Sequence, residues 1–399
     1  MLSEDEAEFS GQEEFEEEDE VEAVPTRDFD WEEGPHSSQA YQFYDPQSGW
    51  KVNFSKDTPV LELFRLFVSD EVLSLLVEET NRYAMQSIAA SNLNDLPHSR
   101  MHAWAPVTAA DILRFFAIRC QMDLKRMPDI SDSWSKNPHY GDEIIRNIMP
   151  RDRYQAINRF FHFADNTQDV HLDRAFKIRQ VWNLVIRNFK SVLVPDKFLT
   201  VDDSQNKSRN KSKLTQYSAK KRNRYGPKMF VLVDTGTRFI LDALIYGGKD
   251  DQSLQRDHVG VGGSAVLRLM DGYLFRRRVL ACDNYFCTPT LASMLLQLKT
   301  YIVGVWRKSK RLALVPLAEQ RRMKRGDVRV FHSNQINVEV IKDKSVFQVL
   351  STGIPHKLKV VKKYPKTKAN RIYNVKSRGV DLTDAEMGHY SFKRRSRKW

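Results

Sequence analysis

The chain has 399 residues, a formal net charge of +12, 41% hydrophobic and 11% aromatic residues, and three cysteines. That length holds two or three domains with a sizeable core, while so few cysteines exclude a disulfide scaffold and fit a reducing compartment. No apolar run approaches the ~18 residues of a membrane span, and the acidic N-terminus is neither a secretory signal nor an Arg-rich transit peptide.

The charge is unevenly placed. Residues 1–35 hold 16 acids and one base, Arg27, a balance of −15 that leaves +27 for the rest. Such polarity points to a polyanionic partner, nucleic acid first; a surface of scattered solvated lysines is the plainer alternative. Residues 1–55 read as a disordered acidic tail, because low apolar content and self-repelling charge do not offset the entropy of folding. Its tract Glu13–Glu20 either folds onto the chain's own basic surface or only keeps the chain soluble.

Residues 56–195 read as all-helical. Val72, Leu73, Leu76 and Val77 share one helical face. Thr108 and Asp111 spell a capping box, with Val107 and Ile112 as its staple. Leu113, Phe116 and Cys120 mark the helix that follows. Tyr154, Ile157, Phe160 and Phe161 mark the next, and Ile178, Trp182, Val185 and Phe189 a fourth.

The pattern changes near residue 196. Strands are expected at 198–202, 229–233 and 239–246, then a helix at 264–270, a strand at 279–282, a helix at 289–298 and a strand at 301–306. Three strands in meander followed by strand–helix–strand is the order of a ribonuclease-H-like α/β core. Further strands at 328–331, 336–341 and 346–350 read as a β-rich insertion, and Asp381 opens a final helix.

Three aspartates stand out in this frame: Asp202 and Asp283 close apolar strands, and Asp381 follows Arg378-Gly-Val. A carboxylate there is costly unless compensated, and hard oxygen ligands suit Mg²⁺ or Mn²⁺. Two-metal phosphoryl transfer needs several carboxylates converging on cations ~3.5–4 Å apart. Asp202 and Asp203 are strand neighbours and point to opposite faces. Asp381 and Asp384, at i and i+3 on a helix, lie side by side; Asp384 reads equally as a surface acid in a first helical turn. Residues 206–228 carry nine Lys/Arg and no acid. Lys220, Lys221, Arg222, Arg224 and Lys228 are the favoured phosphate contacts, with a solvated loop as the alternative. Lys393, Arg394, Arg395 and Arg397 form a second basic patch. Trp399 either stacks on DNA or packs in the core.

Leu199-Thr-Val-Asp202, Cys282-Asp-Asn-Tyr-Phe286 and Arg378-Gly-Val-Asp-Leu-Thr-Asp384 resemble the three catalytic blocks of piggyBac-type DDE/D transposases and of proteins domesticated from them. Lys220–Asp234, Arg159–Asn166 and Arg394–Trp399 add matching flanks, so the likeness runs from about residue 58 to the end. The resemblance implies that Asp202, Asp283 and Asp381 are the catalytic, metal-binding triad and Asp384 a further metal-site acid. It also implies Mg²⁺ or Mn²⁺, double-stranded DNA (transposon ends and a TTAA target), a homodimer and a nuclear location.

The implied architecture is α/β: a ribonuclease-H-like core in two parts (196–307 and 371–399) around a β-rich insertion (308–370), behind an all-helical dimerisation and DNA-binding domain (56–195) and the disordered acidic N-terminus. Residues 371–399 also begin a C-terminal helical segment. Two positions depart from the family's pattern: Asp203 stands where Glu is usual, and Ser204–Lys213 lacks a glycine-containing motif. In the family the polypeptide continues past the position of Trp399, commonly to a cysteine-rich zinc module that these residues do not include.

Other signals are discounted. Gly260–Ala265 fits a relaxed dinucleotide fingerprint, but no strand precedes it. Cys282 and Cys287 read as buried thiols rather than a zinc pair; His98, His102 and His389 read as ordinary polar residues. The leading function is metal-dependent DNA cleavage and transfer at TTAA sites. Its rivals are a catalytically inactive DNA-binding or chromatin protein on the same scaffold, and a nuclease without strand transfer.

Overall fold

The computed structural model describes residues 29–36, 43, 45–91, 100–137, 139–168, 173–205, 214–218, 224–248, 254, 259–306, 314–361 and 364–389. Two short strands, β1 (Glu32–Glu33) and β2 (Gly49–Trp50), precede six helices: α1 (Val60–Phe67), α2 (Asp70–Ala89), α3 (Ala109–Leu124), α4 (Glu143–Ile148), α5 (Arg151–Phe160) and α6 (Phe176–Val192). The start of α3 is fixed by the expected capping box. Thr108 Oγ1 accepts the Asp111 N–H at 3.3 Å, and the Asp111 carboxylate accepts the Thr108 N–H at 3.1 Å.

The buried stripe of α3 is Ile112, Phe115 and Ile118; the expected Leu113 and Phe116 are only partly buried beside it, and Cys120 is exposed. Two apolar stripes run side by side on this helix, so spacing alone does not choose between them. Packing against Val72, Leu73, Leu76 and Tyr154 does. Helix α6 serves two cores. Leu184 and Val185 lean on the helical cluster, while Trp182 and Ile186 lean on the sheet.

After β3 (Leu193–Val194), which pairs with β2, the main sheet begins. Strands β4 (Phe198–Gln205), β6 (Tyr225–Asp234) and β7 (Ile240–Ile245) form an antiparallel meander, with β5 (Thr215–Tyr217) added to β6. Helix α7 (Gly260–Met270) leads to β8 (Val279–Cys282), parallel to β4; α8 (Pro289–Gln297) then leads to β9 (Tyr301–Trp306), parallel to β8. After α9 (Leu317–Arg322), strands β10 (Val328–Ser333), β11 (Ile336–Lys342) and β12 (Val346–Thr352) run antiparallel, and β12 pairs with β9. The strands expected as an insertion therefore extend the central sheet. A separate hairpin, β13 (Leu358–Val361) and β14 (Tyr364–Thr367), precedes α10 (Lys368–Lys376) and α11 (Gly379–His389).

The sheet is covered on both faces. Ala265, Val266, Leu269 and Met270 of α7 and Leu291, Ala292 and Leu295 of α8 bury one face with Leu199 and Val201 of β4. The other face is covered by α10 and α11 together with α6, through Ala369, Val380 and Trp182. This is why β8 reads as a continuous apolar run and why β4 begins as one before its aspartates. No helix among the described residues is long and apolar enough to cross a membrane.

The acidic segment expected to be disordered through residue 55 is tied to the fold at residues 29–36 and again at residues 45–50. Strand β1 pairs with β10, Trp31 stacks on Trp306 with ring centroids 5.7 Å apart, and Arg329 holds Glu33 at 2.9 Å. Asp45 then meets Arg278, which is 2% exposed, at 2.5 Å. A composition argument misses these partners because they lie more than two hundred residues away.

Candidate active site

The parallel register of β4 and β8 pairs Val201 with Cys282. Asp202 and Asp283 each follow by one residue, so they occupy neighbouring positions at the strand ends, on strands about 4.8 Å apart. Val201 and Cys282 are buried in the core cluster under α7 and α8, so alternation turns the two aspartates toward the opposite face. Both are half-buried. Asp202 Oδ1 accepts the N–H of Asp203 at 2.7 Å, and Asp283 Oδ1 accepts the N–H of Tyr285 at 2.9 Å.

Helix α11 lies across this face of β4. Its first residue is a glycine because the strand is so close: a Cβ on Gly379 would stand 2.3 Å from Thr200 Cγ2. One turn on, Ser204 donates its hydroxyl to the Asp384 carboxylate at 2.7 Å. Thr200, Asp202 and Ser204 alternate onto one face of β4, so Gly379 and Asp384 bracket Asp202 from above. Val380 and Thr383 are buried with them, whereas Asp381, turned about 100° from Val380, is exposed. Of the two candidate acids on this helix, Asp381 and Asp384, it is Asp384 that accepts a hydrogen bond from the strand that carries Asp202. Among the described residues, no three acid, histidine or cysteine side chains close into a group that could hold a metal.

Tyr373 of α10, not singled out from sequence, belongs here. It packs in the cluster of Val279 and Ala281 on the acids' face. Burial first, then the charges of Asp283, Cys282 and Asp202, push its phenol well above the ordinary value. It therefore stays protonated beside the carboxylates. Its signal in the sequence is only an aromatic eight residues before Asp381. Beneath the site, Cys282 and Cys287 are buried thiols, as expected. Their mutual hydrogen bond, then burial, holds the Cys282 thiol far above its usual range, so it stays neutral.

Asp203 points to the opposite face, as strand alternation requires. Lys228 Nζ is 4.0 Å from its Oδ2, and also 4.9 Å from the Tyr285 ring centroid, 5.6 Å from that of Phe230 and 5.8 Å from that of Tyr246. Lys228 thus sits in an aromatic surround rather than on open surface. Arg224 is exposed. Lys220, Lys221, Arg222, Lys393, Arg394, Arg395, Arg397 and Trp399 lie outside the described residues, as do His98 and the side chains of His102 and His389.

A mixed sheet with two carboxylates at adjacent parallel strand ends, and an acid-bearing helix laid over them, defines an α/β protein with acidic side chains gathered at one edge of its central strands. A family profile described as Transposase IS4 matches residues 59–399, and the chain belongs to that family. Its relatives are of piggyBac type. It is 25% identical over 369 residues to human PiggyBac transposable element-derived protein 2, covering 86% of this chain and 59% of that protein. It is 24% identical over 357 residues to human PiggyBac transposable element-derived protein 3, covering 85% and 57%. The chain thus spans less than three-fifths of the length of these relatives. A cryo-EM structure of the piggyBac transposase synaptic complex with hairpin DNA shares the fold, with TM-score 0.74 and 23% identity over 85% of this chain and 70% of the other.

Proposed function

We propose that this chain is a piggyBac-type transposase or a derivative of one, cutting and joining double-stranded DNA at TTAA sites with the acids at 202, 283 and 381. The observation that carries this reading is the in-register pairing that sets Asp202 and Asp283 side by side on the face covered by α10 and α11. The donor set fits a divalent cation in kind: carboxylate oxygens on rigid strand ends, with Asp384 held near by Ser204. Asp202, Asp283 and the acids of α11 would hold Mg²⁺ or Mn²⁺. Such a cation would offset phosphodiester charge and acidify an attacking hydroxyl. The chain's own groups do the rest. The strand ends fix where a scissile phosphate can approach, the protonated Tyr373 offers a hydrogen-bond donor beside it, and α11 closes the face from above.

The sheet meander β4–β6–β7 followed by β8–α8–β9 supports a ribonuclease-H-like core. Residues 56–195 serve in this reading as the dimerisation and DNA-binding part, in a nuclear homodimer acting on transposon ends. A second reading, a catalytically silent DNA-binding protein on the same scaffold, is favoured by the exposure of Asp381.

A nicking assay on a DNA end with Mg²⁺ separates the two. The parent chain should nick and Asp283→Asn should lose at least a hundredfold in rate, on the order of the loss when one preorganised electrostatic group is removed. Equal activity in both refutes the site; no nicking by a folded, DNA-binding parent selects the silent reading.

A further inference from the structure

Among the described residues, the β13–β14 hairpin pairs with no strand of the main sheet, and its lysines form no ion pair. Residues 355–368 contain six lysines and no acid; Lys362 and Lys363 among them lie outside the described residues. The register sets Lys359 directly opposite Lys366. Like charges in directly opposed positions destabilise a strand pair, and among the described residues no carboxylate pairs with either. Neighbours on the same face add to the charge. Tyr364 shares the lysine face, and the Arg325 guanidinium lies over its ring at 4.7 Å. Arg325 ends the exposed run Arg321, Arg322, Lys324, Arg325. The acids nearby are already used: Asp343 pairs with Arg325 at 2.7 Å, and Asp327 accepts the N–H of Lys324 at 2.7 Å. Two basic segments from different parts of the chain therefore meet on one side of the hairpin.

The hairpin is also fixed relative to the acids. Its last residue, Thr367, caps α10 by accepting the Asn370 N–H at 3.1 Å. Six residues further along that helix, about 9 Å at 1.5 Å per residue, Tyr373 packs against Val279 and Ala281 of the strand that runs into Asp283. A phosphate at the hairpin and one at the acids fit within a single turn of duplex, about 34 Å.

We propose that the lysine face of the β13–β14 hairpin, with Arg325 and its basic run, is a DNA-binding surface that grips the sugar–phosphate backbone of the duplex presented to the acids. This rests on the proposed function for its ligand, and it is independent of the basic stretches at 206–228 and 393–399. Two opposed lysines kept at a cost to the hairpin are explained when each neutralises a phosphate.

The test uses the full chain and a fluorescent duplex longer than one helical turn, titrated by anisotropy over a range of NaCl. Lys366→Glu should weaken binding at low salt by tenfold or more. It should also lower the slope of log affinity against log salt by about 0.9 for each phosphate no longer neutralised. The same variant should raise the melting temperature, because a Lys–Glu pair replaces a repelling one. Lys359→Gln should move both readouts the same way, by less. Unchanged affinity and slope overturn the inference; a fall in affinity accompanied by a fall in melting temperature overturns it too, by giving the lysines a packing role. A parent chain that fails to nick but shows hairpin-dependent binding sinks the catalytic reading and leaves this surface standing. Nicking with no effect of Lys366→Glu on binding does the reverse.

Discussion

Ser204 carries more of the site than its size suggests. It is buried, two residues beyond Asp202 on the same strand face, and its hydroxyl is the bond by which β4 holds Asp384. A hydrogen bond to a charged group contributes about 1.5–3 kcal/mol. Ser204→Ala should therefore lower the unfolding free energy by about 1.5 kcal/mol, since Asp384 is only half-buried and water can take part of the bond. Urea unfolding measures this; no change would mean that α11 is held by apolar packing alone. At the far end of the sheet, the buried Glu339 carboxylate meets His356 Nδ1 at 2.8 Å. That bond raises the His356 pKa above 6.5. The folded pKa exceeds the unfolded one, so the stabilisation is fully present below 6.5 and is lost as pH rises through the folded value. The unfolding free-energy difference between the parent and His356→Gln should be largest in mild acid and shrink in alkali. A difference that grows with pH contradicts the pairing.

At the scale of elements, the packing of α11 against β4 sets where Asp381 and Asp384 lie relative to Asp202. Gly379 lies on Thr200 with no room for a methyl group. Gly379→Ala should cost about 1–3 kcal/mol through overpacking and tilt the helix that bears Asp381 and Asp384, so nicking should fall further than stability does. Calorimetry and the nicking assay on the same preparation check both; a stable variant with full activity would show that the close approach is incidental. Much of this layer is legible in the sequence. Val279–Cys282 and Tyr301–Trp306 fall where the apolar runs put them, because strands buried on both faces leave an uninterrupted pattern. Register is not legible, since it depends on which strand lies beside which. Nor is the choice between the two stripes of α3, or the role of Tyr373, whose neighbours arrive from strands about a hundred residues away. The basic hairpin at 358–367 escapes a sequence reading because its lysines are diluted by Leu358, Val360 and Val361, and only cross-strand pairing brings Lys359 and Lys366 together.

Across the whole molecule, one sheet joins parts that the sequence separates. β4, β8 and the helix pair α10–α11 converge from positions spread over nearly two hundred residues, and the N-terminal segment returns to β10 and Arg278 to close the far edge and the back. The central proposal is that Asp202 and Asp283, with the acids of α11, would hold a divalent cation against DNA. The most direct measurement is anomalous diffraction from crystals of the protein with a DNA end and Mn²⁺. The account predicts an anomalous peak in contact with the carboxyl oxygens of both Asp202 and Asp283, with an acid of α11 adjoining, and its loss in Asp283→Asn. Bound DNA with no peak between those two strand ends, or Mn²⁺ held only elsewhere, would contradict it.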